Sequence, residues 1–276
     1  MRVPAALRGR FGLEGRVAVV TGAGGKLGPV WIEALAGAGA TVFGIDLPGA
    51  ATSTALEALV SRAPAGRVHI GTGDVTSRAS LEAALEWVIA RAGPAQILVN
   101  NAGIDTPPST MEGGFRIETM SLDGWRAVLE VNLLGAFQAS QVFGAPMLER
   151  RHGSIVNIGS LYASVSPDAR FYEHIPMDPP FLKPPAYGAS KGALLNLTRY
   201  LATHWAPSGV RVNALSPGGV LGGQDAEFRR KFTARVPLGR MAEADDLAGP
   251  LLFLASDASS YVTGIELRVD GGFTAW

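Results

Sequence analysis

The sequence predicts an α/β fold, a doubly wound sheet of about seven parallel strands with helices on both faces. Two observations carry that expectation. Short β-branched runs alternate with longer segments of helical apolar spacing, the pattern of a parallel sheet covered on both sides. A glycine-rich turn stands between the first strand and the first helix, at the place where such sheets open a crevice.

Strands are expected at 17–21, 41–45, 68–71, 97–100, 154–158, 210–215 and 265–269. Helices are expected at 27–38, 53–62, 78–92, 122–149, 189–206, 225–234 and 244–254. No internal repeat or low-complexity tract interrupts this order, so residues 1–276 are read as one domain. Two stretches look irregular: 106–118, and 165–186 with its six prolines and mixed charges. Loops of that length inside a compact domain usually serve function.

Composition narrows the function classes. A chain of 276 residues with 47% hydrophobic content suffices for one large core and argues against a second full domain. Lys plus Arg and Asp plus Glu each number 24, so no net field gathers nucleic acid or anionic membrane. A small-molecule partner is expected instead. The absence of cysteine removes disulfides, thiolate nucleophiles and sulfur-ligated zinc. Residues 1–16 carry four arginines, but the apolar stretch 17–20 is too short for a signal-peptide core. No run approaches a membrane span, and cytoplasmic residence is the expectation.

The first strand runs into Thr21-Gly22-Ala23-Gly24-Gly25-Lys26-Leu27-Gly28, followed by Trp31, Ile32 and Leu35 at helical spacing. Such a turn lets backbone N–H groups and the helix dipole face a pyrophosphate, although a tight turn without ligand also fits. The second strand ends in Ile45-Asp46, about twenty residues on, where a carboxylate accepts hydrogen bonds from an adenosine ribose. Asp46 would repel a 2′-phosphate, which favours NAD over NADP; the alternative is a cap for the following segment. Asp74 and Val75 follow the third strand, and Asn101, Ala102 and Gly103 follow the fourth, along the same crevice.

Tyr187 and Lys191 stand four residues apart at the start of a helical run, so both point to one face. An adjacent ammonium and an oxidised nicotinamide would favour the phenolate, bringing Tyr187 toward the range of a general base. By itself the spacing is only suggestive. Ser160 follows the fifth strand, and Asn132 sits in a helical segment where an apolar residue would pack more cheaply. Their plainer readings are a strand-end turn and a buried amide tying helix to backbone.

With these residues assembled, the chain resembles the short-chain dehydrogenase/reductase family, in its single-domain Tyr-x-x-x-Lys form, over nearly its whole length. The matching series runs Thr21-Gly22 to Gly28, Asp46, Asp74-Val75, Asn100-Asn101-Ala102-Gly103, Asn132, Ser160 and Tyr187-Gly188-Ala189-Ser190-Lys191. It ends with Ser216-Pro217-Gly218 and Asp270-Gly271-Gly272. The resemblance implies a Rossmann-like fold and a catalytic tetrad of Asn132, Ser160, Tyr187 and Lys191. In it Tyr187 is acid or base, and Lys191 holds the nicotinamide ribose and lowers the tyrosine pKa. Ser160 orients the substrate oxygen, and Asn132 holds a relay water. Gly22, Gly25, Lys26 and Leu27 would form the cofactor turn, Asn101, Pro217 and Gly218 would line it, and Val220 would lie near the carboxamide. Assembly as a homotetramer or homodimer through the long helices is also implied.

Two departures from the family pattern stand out. Lys26 occupies a position where a glycine is usual, and it either extends into solvent or approaches a phosphate. Ser160 and Tyr187 are separated by about twice the usual spacing, so 165–186 is read as an inserted substrate-side loop. Its Asp168, Arg170, Tyr172, Glu173, His174, Asp178 and Lys183 suit a polyhydroxylated substrate, against the alternative of an ordinary surface or subunit-contact loop. A lone loop histidine such as His174 has no second histidine at ligand spacing, and no metal is expected. Terminal Trp276 is expected to pack on a neighbouring subunit.

The leading reading is an NAD-dependent oxidoreductase that interconverts a secondary alcohol and a ketone on a sugar, sugar acid or related polar substrate. A 3-oxoacyl-thioester reductase is the second reading, disfavoured by Asp46 and the polar insertion. A catalytically idle NAD-sensing protein is the third, and it gives no reason for keeping all four tetrad residues.

Overall fold

The computed structural model describes residues 9–106, 108 and 116–276. Residues 1–8 of the arginine-bearing start, and 107 and 109–115 of the irregular stretch at 106–118, lie outside the described residues. The strands are β1 (Val17–Thr21), β2 (Thr41–Asp46), β3 (Val68–Thr72), β4 (Ile97–Asn100), β5 (Gly153–Ile158), β6 (Val210–Pro217) and β7 (Glu266–Val269). They form one sheet in the order β3-β2-β1-β4-β5-β6-β7, with every neighbouring pair parallel. The order reverses between β1 and β4, the position at which doubly wound sheets open a ligand crevice.

Around the sheet lie α1 (Gly28–Gly37), α2 (Thr54–Arg62), α3 (Arg78–Ala92), α4 (Leu122–Leu129), α5 (Ala136–Glu149), α6 (Pro185–Trp205), α7 (Ala226–Thr233) and α8 (Asp245–Ala255). The two-residue period of the strands divides the core into two layers. Ala18, Val20 and Val42 pack with Trp31, Ile32 and Leu35 of α1 and Leu247, Leu251 and Leu254 of α8. Their neighbours Val17, Val19, Phe43 and Ile45 face the other way, against α3, α5 and α6. Burying both faces of a parallel sheet favours near-continuous apolar runs, and β1 and β4, buried throughout, are apolar up to Thr21 and Asn100 at their ends.

The helix expected over 122–149 is broken. A π-helical segment, Glu130–Gly135, joins α4 to α5 and carries Asn132. Such a segment re-aims the side chains on its turn relative to an α-helix, and π turns concentrate at functional sites. Helix α6 begins earlier than the expected 189, at Pro185, because proline at a first helical position sacrifices no hydrogen bond and has its φ already set. Tyr187 therefore sits in the first turn.

The 165–186 insertion is a built wall. Phe171, Tyr172 and Phe181 share a third apolar cluster with Leu161, Phe232 of α7, Val236, Met241 and Phe273. Asp168 caps the short 3₁₀ turn Ala169–Phe171 and pairs with Arg170 at 2.7 Å and Arg235 at 3.1 Å. These guanidinium hydrogen bonds, Arg170 foremost, hold its carboxyl at about 2. A carboxyl pKa depressed by folding adds stability above the unfolded value of about 4, lost as pH falls toward 2. Asp168→Asn is expected to lower the melting temperature at neutral pH by roughly 2–4 °C. The difference should vanish near pH 2, as read by scanning calorimetry. Trp276 is largely exposed and its indole N–H donates to the Arg235 carbonyl at 3.3 Å.

Candidate active site

The carboxyl ends of the central strands open into one crevice of about 1260 Å³. That exceeds the roughly 300–1,000 Å³ of ordinary small-molecule pockets and leaves room for a dinucleotide beside a second ligand. All the expected cofactor residues line it, from Gly22, Gly25, Lys26 and Leu27 through Asp46 to Pro217, Gly218 and Val220, and so do Ser160, Tyr187 and Lys191. Asn132 does not. A smaller cavity of about 560 Å³ lies at the opposite end of the strands, near Arg16, His152 and Arg211. There the Arg211 guanidinium already serves Ser259 and the carbonyls of Val262, Leu254 and Ser256.

The glycine turn is shaped for close approach. Gly22 has φ +66°, and a Cβ there would stand 2.8 Å from the Ala102 Cα; at Gly28 it would stand 2.3 Å from the Ala23 carbonyl oxygen. Helix α1 starts after Leu27 with no side-chain cap, so its first turn offers N–H groups and the positive dipole end to an anion. These features fit a dinucleotide pyrophosphate.

Lys26 is tolerated where a glycine is usual because its φ is not left-handed; within the turn only Gly22 needs that conformation. Its ammonium neither extends into solvent nor waits for a phosphate alone: it spans the crevice and donates to the Val220 carbonyl at 2.9 Å. Burial pushes the Lys26 pKa down. Lys26→Gly is expected to weaken NAD binding roughly three- to tenfold through loss of a cation beside the phosphates, with kcat nearly unchanged. Fluorescence titration of NAD checks this.

Several polar side chains at the cofactor end brace the protein itself. Asp46 accepts from the Gly24 N–H at 2.7 Å and the Leu47 N–H at 2.8 Å, so it orders the turn while facing the crevice. The Asn101 amide donates to the Thr21 and Gly22 carbonyls at 3.0 and 2.9 Å and accepts from the Trp31 indole at 2.8 Å. Asp74 accepts from the Thr76 N–H and hydroxyl at 2.8 and 2.7 Å. Asn100, given no role of its own in the sequence, donates to Ser140 and Asn157, tying β4 to α5 and β5.

The reactive end gathers at β5 and α6. Ser160 follows β5 and its oxygen accepts from the Tyr162 N–H at 3.2 Å. A hydrogen bond with Ser160 favours the Tyr187 phenolate, but burial and the Asp105 carboxylate outweigh it and push the phenol up to about 12. Lys191 lies one turn on, its Nζ 5.7 Å from the Tyr187 ring and donating to the Ile158 carbonyl at 2.8 Å. Burial pushes that ammonium down to about 8. In the protein alone the cost of burying charge dominates, and the phenol stays protonated near neutrality. Asn132 is tied through both ends of its amide: Oδ1 accepts from the Ile104 N–H at 2.8 Å, while Nδ2 donates to the Ile104 carbonyl at 3.0 Å and to Ser190 at 3.1 Å. That is the buried tie between helix and backbone, and it fixes the loop after β4.

Sequence reading assigned no role to Asp105, and placed Lys183 only within the insertion. Lys183 donates to Asp105 at 2.6 Å, is 7% exposed, and stands 5.4 Å from the Tyr187 ring and 5.7 Å from the Tyr162 ring. The pair joins the loop after β4 to the 165–186 wall beside Tyr187. His174 approaches Asp225 to 2.9 Å without an aligned hydrogen bond. Among the described residues no group of three or more His, Asp or Glu is placed to hold a metal.

This arrangement offers a crevice shaped for a dinucleotide at one end and gathers Tyr187, Ser160 and Lys191 at the other. A family model described as enoyl-(acyl carrier protein) reductase matches residues 27–274. The chain belongs to the short-chain dehydrogenase/reductase family, a family of nicotinamide-dependent oxidoreductases. It is 39% identical to a galactitol 2-dehydrogenase (L-tagatose-forming) of Cereibacter sphaeroides, over 96% of this chain and 98% of that one. A gluconate 5-dehydrogenase from Burkholderia cenocepacia J2315, solved in complex with NADP and tartrate, is similar with TM-score 0.82 and 33% identity, covering 98% of this chain and 99% of that one. A short-chain dehydrogenase from Leptospira borgpetersenii with bound NAD+ is similar with TM-score 0.82 and 29% identity, covering 99% of this chain and 97% of that one.

Proposed function

We propose that the protein is an NAD-dependent dehydrogenase that interconverts a secondary alcohol and a ketone on a sugar-derived polyol. The observation that carries this reading is the convergence of Tyr187, Ser160 and Lys191 on one crevice, with the Asp105–Lys183 pair beside the phenol. Ser160 holds the substrate oxygen by a hydrogen bond, and Tyr187 takes the hydroxyl proton as the carbonyl forms. A nicotinamide, once bound, would supply the hydride acceptor, and its positive charge would favour the Tyr187 phenolate. Lys191 would hold the nicotinamide ribose hydroxyls. Asn132 acts at a distance as a positioning residue, through the Ile104 backbone.

NAD is preferred to NADP because the Asp46 carboxylate lies at the adenosine end, and Lys26, held on Val220, does not neutralise it. Similarity to the galactitol 2-dehydrogenase and the gluconate 5-dehydrogenase supports a sugar-type substrate. Exposed Leu122 at the start of α4 and Leu134 in the π-helical segment, with Tyr200 on α6, support assembly into a homotetramer or homodimer through these helices. Chromatographic identification of a ketose, formed in proportion to NADH from a hexitol, tests the activity. Formation of NADH without a ketose would refute it.

A further inference from the structure

The crevice is lined by three lysines, and no arginine lines it among the described residues. Each ammonium already has a partner. Lys26 is on the Val220 carbonyl, Lys191 on the Ile158 carbonyl and Lys183 on Asp105. Lys26 and Lys191 belong to the cofactor side, which leaves Lys183 as the one cation beside Tyr187 on the substrate side. Residues 107 and 109–115 contain no lysine or arginine in sequence.

We infer that Asp105 and Lys183 together form the substrate-selecting subsite, and that they select an uncharged polyol over an aldonate. The inference rests on the sugar-alcohol reading above and deepens it. Asp105 accepts hydrogen bonds from hydroxyls next to the reacting carbon, and Lys183 donates to their oxygens, so a diol satisfies both partners without breaking the pair. A carboxylate must either displace Asp105 from Lys183 or lie against a like charge, and like-charge contact in a partly desolvated site is costly. Lys183 is 7% exposed and Asp105 38% exposed, so the carboxylate remains reachable while the ammonium is sheltered.

The same pair acts on the proton-transfer group. Tyr187 is faced by Asp105, Lys183, Lys191, Tyr162 and the Ser160 hydroxyl, and of these Asp105 raises its pKa while Ser160 lowers it. Removing the Asp105 charge therefore moves the acidic limb of kcat/KM for alcohol oxidation to lower pH.

The test compares galactitol with D-gluconate on the wild-type holoenzyme, Asp105→Asn and Lys183→Met, with melting temperature and NAD affinity measured on each. In the wild type, kcat/KM for the hexitol is expected to exceed that for the aldonate by at least about tenfold. Asp105→Asn should narrow or invert that ratio by at least about tenfold and shift the acidic limb downward. Lys183→Met should lower kcat/KM for the hexitol by about tenfold or more, chiefly through KM, with NAD affinity retained. Wild-type preference for the aldonate, or an Asp105→Asn variant with unchanged ratio and unchanged pH limb, would overturn the inference while leaving a sugar-type dehydrogenase standing. Failure of the wild type to oxidise either compound, with turnover of other secondary alcohols, would overturn the sugar reading and this inference together.

Discussion

Tyr187→Phe is expected to lower kcat on the order of 10³-fold, within the range that a positioned acid or base supplies. The ring, its packing and its place in the first turn of α6 are retained, so NAD affinity by calorimetry and the melting temperature should both stay close to wild type. The effect should be confined to proton transfer. In the wild-type protein, where burial and Asp105 hold the phenol up to about 12, alcohol oxidation should accelerate as pH rises from neutrality. Each step toward alkaline pH enlarges the phenolate fraction until the plateau set by the nicotinamide-bound complex is reached. The Phe variant has no group to ionise there, and its residual rate should be flat over the same interval. A pH–rate profile of both proteins reads this directly.

Asp46→Asn carries the second large effect. With the native carboxylate, NAD is expected to bind on the order of 100-fold more tightly than NADP, since a 2′-phosphate would meet a fixed negative charge. The amide removes that repulsion and can still hold the Gly24 N–H through its oxygen, so the turn keeps its shape. The ratio of the two dissociation constants should contract to within roughly tenfold, mostly by tighter NADP binding. A ratio that does not move would mean that Asp46 acts only as a brace for the glycine turn and a cap for the segment after β2.

Much of this was legible from the chain. The seven strands were placed nearly to the residue because strands buried on both faces read as near-continuous apolar runs, and β1 and β4 are such runs up to Thr21 and Asn100 at their ends. The crevice residues were found because glycines, Asp46 and the Asn101-Ala102-Gly103 run all fall at strand ends, where the topology gathers them. The π turn at Asn132 was not legible, since an apolar period of 3.6 continues across it with little change. Nor was the burial of Tyr187 and Lys191 legible. Spacing reveals the two as neighbours but not the burial that pushes the phenol up and the ammonium down. The Asp105–Lys183 pair joins two loops 78 positions apart, and no periodic pattern links such residues. The insertion looked like a polar lid because its charges dominate the text of the sequence. Its aromatic residues, few and irregularly spaced, are what seat it against α7 and Phe273.

The most direct test of the central claim is nicotinamide absorbance during incubation of the purified protein with NAD or NADP and a panel of hexitols, sugar acids and 3-hydroxyacyl thioesters, with Tyr187→Phe run in parallel. The account predicts NADH appearing from a sugar-type secondary alcohol, with the rate lost in the Phe variant. Turnover of acyl thioesters alone with NADP, or turnover of a polyol that survives the loss of the Tyr187 hydroxyl, would contradict it.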